Sequence, residues 1–244
     1  MNKFLQKILS VLLTLTLCSC AKLEDDDIWV VGTSADNPPY EYMDEGVIQG
    51  FDIDLINEIG KRLNKEIIIR NMDFHGLLAA LSGRNIDVVI AGMSVTEERK
   101  KKVDFSEAYI KTNVAFLTEK NNNLKTLEDL KDKKIGSQLG TIWSAIAYEL
   151  GAKYNFENKT LANNLMLVEE LKLGRLDGVV MEEFQANKFA AKNKDFFHFT
   201  IKDKSHLSIA IPKDSKFKDE IDRTIREIKA DGTMKELQKK HGLI

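Results

Sequence analysis

The segment Asp87-Val-Val-Ile-Ala-Gly-Met-Ser-Val-Thr-Glu-Glu-Arg-Lys-Lys-Lys-Val-Asp-Phe-Ser-Glu-Ala-Tyr runs from an apolar stretch into a polar turn, a helical start and an aromatic-containing turn. Ser94 with Glu97 three residues on reads as a capping box, which leaves the backbone N–H groups of Gly92 to Thr96 exposed at a helix N-terminus. Such an end attracts anions, because its free N–H groups and the helix dipole both favour negative charge. Arg99, about one turn inside, carries a planar two-pronged donor that can grip the same carboxylate, a geometry that a Lys ammonium cannot match. The competing reading of these residues is an ordinary capped helix with a surface Arg.

Other chemistry is poorly supported. The chain lacks a Walker loop, a Gly-x-Gly-x-x-Gly fingerprint, a Gly-x-Ser-x-Gly elbow and a His-Glu-x-x-His motif. Its four His (His75, His198, His206, His241) are scattered without metal-ligand spacing and read as surface or packing residues, so neither a metal nor a cofactor is expected. Carboxylates are abundant enough that a pair proves nothing by itself. The 36 Lys plus Arg and 38 Asp plus Glu are mixed along the chain, so no basic face for nucleic acid is expected. With 244 residues and 43% apolar composition, the chain has room for one large domain or two small ones, each with its own core.

Residues 1–20 have a basic start, an apolar run from Ile8 to Leu17 and the exit Cys18-Ser19-Cys20. The run is half the roughly twenty residues that cross a bilayer as a helix, so it reads as a secretory signal. Leu17-Cys-Ser-Cys looks like a bacterial lipobox. Cys20 fits the lipidated position, with Leu at −3 and Ser at −1, whereas Cys18 would have Leu17 at −1. A signal peptide cleaved elsewhere is the alternative, and both readings export the chain. Cleavage before Cys20 leaves 225 residues and no second Cys, so the core holds the mature fold without an internal disulfide. Residues 20–27 then form a short acidic tether.

Beyond that point, apolar runs of strand length alternate with helical periodicity. Ile28 to Thr33, Glu66 to Arg70 and Ile86 to Gly92 read as strands; Phe51 to Leu63 and His75 to Ser82 read as helices. The pattern repeats with strands at Lys134–Ser137 and Asp177–Met181 and helices at Trp143–Leu150, Asn163–Leu173 and Glu183–Ala191. His206–Pro212 is one more strand, followed by helices over about 215–229 and 233–240 that most economically dock on the first unit. Such alternation predicts α/β lobes with mainly parallel sheets covered on both faces, and a small-ligand cleft between them.

Several motifs stand together: Pro38-Pro-Tyr-Glu-Tyr, Gly50-Phe-Asp-Ile-Asp-Leu, Asp87 to Gly92, Thr96-Glu-Glu-Arg, Asp104-Phe-Ser-Glu-Ala-Tyr, Gly140-Thr, Gly174-Arg-Leu-Asp-Gly and Asp231-Gly-Thr. In these the chain resembles, from about Val30 to Leu243, the bacterial extracellular solute-binding proteins of polar amino acid ABC importers, family 3. The resemblance implies a type II periplasmic-binding-protein-like fold: two α/β lobes joined by two crossing hinge strands near residues 110–117 and 206–212. Lobe 1 would comprise residues 28–112 and 208–244, and lobe 2 residues 113–207. By position, Arg99 matches the clamp on the ligand α-carboxylate, with Gly92, Met93 and Ser94 beside it. Glu182 falls where the family usually has an Asp that receives the α-ammonium, and is one methylene longer. Gln138 and Thr141 match the second-lobe loop that closes on the ligand, and Phe74 an aromatic wall whose competing role is core packing. Asn37 stands where the family often has a stacking aromatic. Ser34 replaces an acidic residue found in several binders of basic amino acids and glutamine, with Asp36 close by.

The implied activity is binding of a free polar amino acid and its delivery to a membrane permease, by a monomeric, lipid-anchored protein on the periplasmic or extracytoplasmic side of the envelope. Arg, Lys, His, Gln and cystine remain open as ligands. The alternatives are a secreted dehydratase of the cyclohexadienyl type on the same fold, with Glu182 or Asp36 as general acid, and an amino-acid sensor acting through a separate receptor.

Overall fold

A computed structural model describes residues 27–244; the expected signal segment and Cys20 lie outside the described residues. The chain opens with β1 (Ile28–Thr33), a small antiparallel meander β2 (Asp36–Asn37), β3 (Glu41–Asp44) and β4 (Val47–Gln49), then α1 (Phe51–Leu63) and β5 (Glu66–Asn71). A 3-10 turn (Phe74–Gly76), α2 (Leu77–Ser82), β6 (Val88–Val89), a single helical turn α3 (Glu97–Lys100) and β7 (Val103–Phe105) follow. Next come β8 (Ile110–Glu119), β9 (Lys134–Gln138), α4 (Ile142–Tyr154), β10 (Glu157–Leu161), α5 (Asn164–Lys172), β11 (Gly178–Glu182), α6 (Glu183–Lys192) and β12 (Phe196–Leu207). The chain closes with β13 (Ala210–Pro212), α7 (Phe217–Ala230) and α8 (Thr233–His241).

These strands build two five-stranded sheets, in the orders β5-β1-β6-β13-β7 and β10-β9-β11-β8-β12. β1 pairs in parallel with β5 and β6, and β9 with β10 and β11, as the helical crossovers require. Each sheet has a core on both faces. On the first, Trp29, Val31, Ile90 and Ile211 meet α1 and α7 through Leu55, Ile56, Ile59, Ile221 and Ile225. Its other face packs Val89, Val103 and Ala210 against Leu77 and Leu81 of α2. The second sheet buries Leu117, Val179 and Met181 under α5 and α6 on one side, and Phe116, Ile135 and Val180 under Trp143 and Ala147 of α4 on the other. The fold is α/β with two sheet-containing lobes.

α1 combines an apolar stripe, matched end charges and a left-handed cap. Phe51, Leu55, Ile56 and Ile59 are fully buried at three- and four-residue spacing. Asp52 and Asp54 occupy the first turn and Lys61 and Arg62 the last, in line with the helix dipole, and Asn64 closes the helix in the left-handed conformation at φ 54°.

Two expected strands are shorter. The run Ile86–Gly92 keeps a ladder only at Val88–Val89, and the run His206–Pro212 breaks between β12 and β13. At the break the chain leaves one sheet for the other. Ser208 N–H donates to Met93 O at 3.0 Å and Ile209 N–H to Ser106 Oγ at 3.0 Å, so the backbone is satisfied without a ladder. β8 and β12 pair antiparallel along the second sheet and continue past an irregularity between Ile201 and Ser205 to Ser205↔Thr112, His206↔Lys111 and Leu207↔Ile110. Ile110 and Leu207 belong to the first-sheet core, so both strands run from one lobe into the other.

Gly50 caps α1 at φ +135°, and a Cβ there would meet Tyr40 O at 2.2 Å and Pro39 O at 2.9 Å. Gly46, in the β3–β4 turn at φ +82°, has open space around it. Gly50→Ala is therefore expected to lose about 2–4 kcal/mol in urea unfolding, through backbone displacement on top of dihedral strain. Gly46→Ala should lose only about 1 kcal/mol, from the dihedral alone; equal losses would show that the Tyr40 contact is unimportant.

Candidate ligand cleft

Gly92 follows β6 at φ +53°, where a Cβ would sit 2.6 Å from Asn37 Nδ2. Its N–H donates to Asp52 Oδ2 at 2.8 Å. The turn after it departs from the expected capping box. Thr96, in extended conformation, is the cap, and its Oγ1 accepts from Arg99 N–H at 3.1 Å. Ser94 is instead bridged to Leu207 and hydrogen-bonded to Ser205 Oγ at 2.8 Å, which ties it to β12. The helix that follows has a single turn, so its dipole is small and the positive charge at this turn is that of the Arg99 side chain.

Arg99 spans the cleft. Its Nη1 donates to Ser94 O at 2.5 Å on the first-lobe side and its Nη2 to Gly140 O at 2.9 Å on the second. The guanidinium carbon lies 5.6 Å from the centre of the Phe74 ring, a cation–π contact. No carboxylate among the described residues lies within ion-pair distance of it, and burial lowers its pKa to about 10. Gly140, at φ +81°, directs its carbonyl there, and Thr141 caps α4 by accepting from Ser144 N–H at 3.1 Å while donating to Gln138 O at 2.7 Å.

Asp36, on β2, is 2% exposed and is the acidic counterpart. Its carboxylate accepts from Ser34 Oγ at 3.2 Å, and from Gln138 Nε2 at 2.9 Å and Asn164 N–H at 2.7 Å on the opposite lobe. Asn164 Nδ2 in turn donates to Gln138 Oε1 at 2.8 Å. Burial pushes the Asp36 carboxyl up to about 6 in spite of these donors.

Between Arg99 and Asp36 lies a tight, partly open space of about 20 Å³, room for a water rather than for an amino acid while the two walls stand this close. Of the residues expected to face ligand, Arg99, Ser94, Gly92, Thr141, Gln138, Phe74 and Asn37 line it. Three others do not. Met93 is wholly buried in the core beneath α2, and Ser34 is buried behind Asp36. The Glu182 carboxylate is turned onto its own helix: it caps α6 by accepting from Phe184 and Gln185 N–H, each at 2.9 Å, and also accepts from Thr112 Oγ1. With all these donors it is still pushed up to about 7 by burial. In this arrangement Asp36, rather than Glu182, presents the carboxylate at the cavity.

The lining also includes Glu41, Trp143, Asn164 and Gln185. Glu41 stands in the Pro38-Pro-Tyr-Glu-Tyr motif, and Gln185 lies one helical turn after Glu182, so each had a sequence signal next to a residue already singled out. Trp143 and Asn164 had none beyond opening a helix. Among the described residues no group of His, Cys, Asp and Glu is arranged to hold a metal ion, and no helix is long and apolar enough to cross a membrane.

A family model described as bacterial extracellular solute-binding proteins, family 3, matches residues 29–243. The arginine-binding extracellular protein ArtP of Bacillus subtilis (strain 168) is 33% identical over 249 residues, covering 98% of each chain. A probable histidine-binding protein of Campylobacter jejuni is 33% identical over 259 residues, covering the whole of both chains at 100%. Among solved structures, an ancestral arginine-binding protein bound to arginine superposes with a TM-score of 0.85 at 37% identity, covering 88% of this chain and 98% of that one. These relatives carry names of binding proteins, not of enzymes. A two-lobed α/β fold, a cleft with an unpaired Arg and a family match over nearly all the described residues lead to one conclusion: this chain belongs to the bacterial extracellular solute-binding proteins of family 3.

Proposed function

We propose that this chain binds a free polar amino acid in the cleft and presents it to the transmembrane subunits of an ABC importer. The observation that carries the reading is Arg99: a partly buried guanidinium, bonded among the described residues only to backbone carbonyls and facing a cavity with a carboxylate on its other side. Taking an amino acid's two charged ends out of water is costly unless each meets an opposite charge with good hydrogen bonds. Arg99 would take the α-carboxylate, with Gly92, Ser94 and Thr141 around it. Asp36 would take a cationic group, held in place by Gln138 and Asn164 from the facing lobe. The relatives named for arginine and histidine support a basic ligand.

In this reading lobe 1 comprises residues 28–112 and 208–244 and lobe 2 residues 113–207, with β8 and β12 as the hinge. The ligand contacts both lobes, so it favours the closed form by its differential affinity for that form. Cys20 would carry the lipid after removal of residues 1–19, placing the protein as a monomer at the outer side of a membrane. The relatives are named as binding proteins, so the dehydratase alternative, with Asp36 or Glu182 as general acid, gains no support from them.

Two outcomes are expected. L-arginine should raise the melting temperature of the wild-type protein by mass action and give a calorimetric binding isotherm, and Arg99→Ala should abolish both while leaving the far-UV circular dichroism unchanged. Retained wild-type affinity in that variant would remove Arg99 from the site. Because Asp36 in the free protein titrates at about 6, L-arginine affinity should fall as pH drops through that value, when Asp36 loses its charge. Asp36→Asn should flatten this pH profile and weaken arginine binding at neutral pH by roughly tenfold or more, equivalent to about 1.4 kcal/mol.

A further inference from the structure

Two carboxyl groups, one of them on the cavity wall, meet with no basic side chain between them among the described residues. Glu41, on β3, and Asp52, in the first turn of α1, are both 0% exposed. Glu41 Oε1 accepts from Asn37 Nδ2 at 2.9 Å. Asp52 Oδ2 accepts from Gly92 N–H and from Tyr109 OH, each at 2.8 Å. The two remaining oxygens, Glu41 Oε2 and Asp52 Oδ1, have no hydrogen-bond donor. Yet the two side chains lie within hydrogen-bonding reach of each other.

The surroundings supply no compensating charge. The basic groups at this end of the molecule, Lys240 and His241, go to Asp54, at 2.7 and 2.6 Å. Facing the pair are Tyr40 beside Glu41, Tyr109 from the loop before β8, Asp36 from β2 and, beyond Tyr40, Glu182 from the end of β11, all buried acids. Two ionised carboxylates cannot face each other in such a place, whereas a single hydrogen placed between the two orphan oxygens satisfies both.

We propose that Glu41 and Asp52 share one proton, carried by Glu41, and that this proton completes a hydrogen-bonded chain Asn37–Glu41–Asp52–Gly92 that shapes the first-lobe wall of the cleft. Glu41 is thus a positioning residue: it holds the Asn37 amide through one oxygen and, through Asp52, the Gly92 N–H. The cavity wall then presents one ionised carboxylate, Asp36, rather than two. The proton assignment needs no ligand; only the statement that the chain shapes a binding wall rests on the amino-acid reading of the cleft.

The sign of the pH effect follows. Burial and the neighbouring Asp52 charge hold the Glu41 carboxyl well above the usual range in the folded protein, while in the unfolded chain it ionises near 4.3. Above that pH the folded state binds the extra proton, so this contribution to stability is lost as pH rises toward the folded value. A Gln at this position donates to Asp52 and accepts from Asn37 without titrating.

The test uses the ligand-free protein, so its failure leaves the amino-acid reading untouched. Melting temperatures of wild type and Glu41→Gln would be followed from about pH 5 to about pH 9, across the range in which only the folded-state carboxyl stays protonated. The variant's melting temperature relative to wild type should climb with pH; a flat or falling difference would overturn the proposal. As a measurement that needs no variant, infrared spectra of wild type labelled with 13C-glutamate would be recorded at about pH 8, above the range in which ordinary carboxyls hold a proton. A label-shifted C=O stretch of a protonated carboxyl that disappears in Glu41→Gln is expected, and its absence from the wild type would show that Glu41 carries no proton.

Discussion

Arg99 donates to one backbone carbonyl on each side of the cleft and meets no carboxylate among the described residues, so a full charge is held half out of water on neutral acceptors. Such a charge is tolerable only while the cleft can supply an anion or water, and the rest of the site follows from that constraint. The left-handed turns at Gly92 and Gly140 bring backbone close to the guanidinium, and Phe74 covers its face. Asp36 stands on the opposite side of the cavity, where it leaves the cation free rather than neutralising it. The cleft is therefore polarised along its length, and a zwitterion can align with it.

The lobes hold this arrangement by two kinds of contact. Packing inside each lobe is apolar and covers both faces of each sheet, which makes the lobes rigid units. Hydrogen bonds across the cleft are few: Asp36 with Gln138, Asn164 and Gln185, and Arg99 with Gly140, beside an apolar contact of Phe184 with the first-lobe core. Water can replace polar contacts at little net cost, but not a packed core. The structure thus separates what must stay fixed from what can part.

Local patterning disclosed most of the elements because both sheets are buried on two faces and α1 and α7 carry clear apolar stripes. Phe51–Leu63 matches its helix because its caps, charges and periodicity agree. What patterning could not disclose was set by distant partners. The ladder of Ile86–Gly92 shrinks to two residues, and His206–Pro212 divides because it serves two sheets. At the site, Arg99 was legible from its place after a polar turn. The Ser94 capping box was misleading: Ser205, far along the chain, claims the Ser94 hydroxyl and leaves Thr96 to cap. Glu182 follows the same logic in reverse. A residue that ends a strand and starts a helix is placed to cap it, and the Glu182 carboxylate accepts from Phe184 and Gln185 N–H.

β13 lies between β6 and β7 in the first sheet, although more than a hundred residues of chain separate it from them. Every pairing that seats β7 in that sheet passes through these three residues near the C-terminal end. During synthesis the second sheet, drawn from one continuous stretch, can close while the first still lacks an interior strand. Non-local closure of this kind is slow. The half of the molecule that carries Arg99 and Asp36 therefore matures last, and a chain cut short before Ala210 would keep one finished lobe beside an open sheet that invites pairing with other strands.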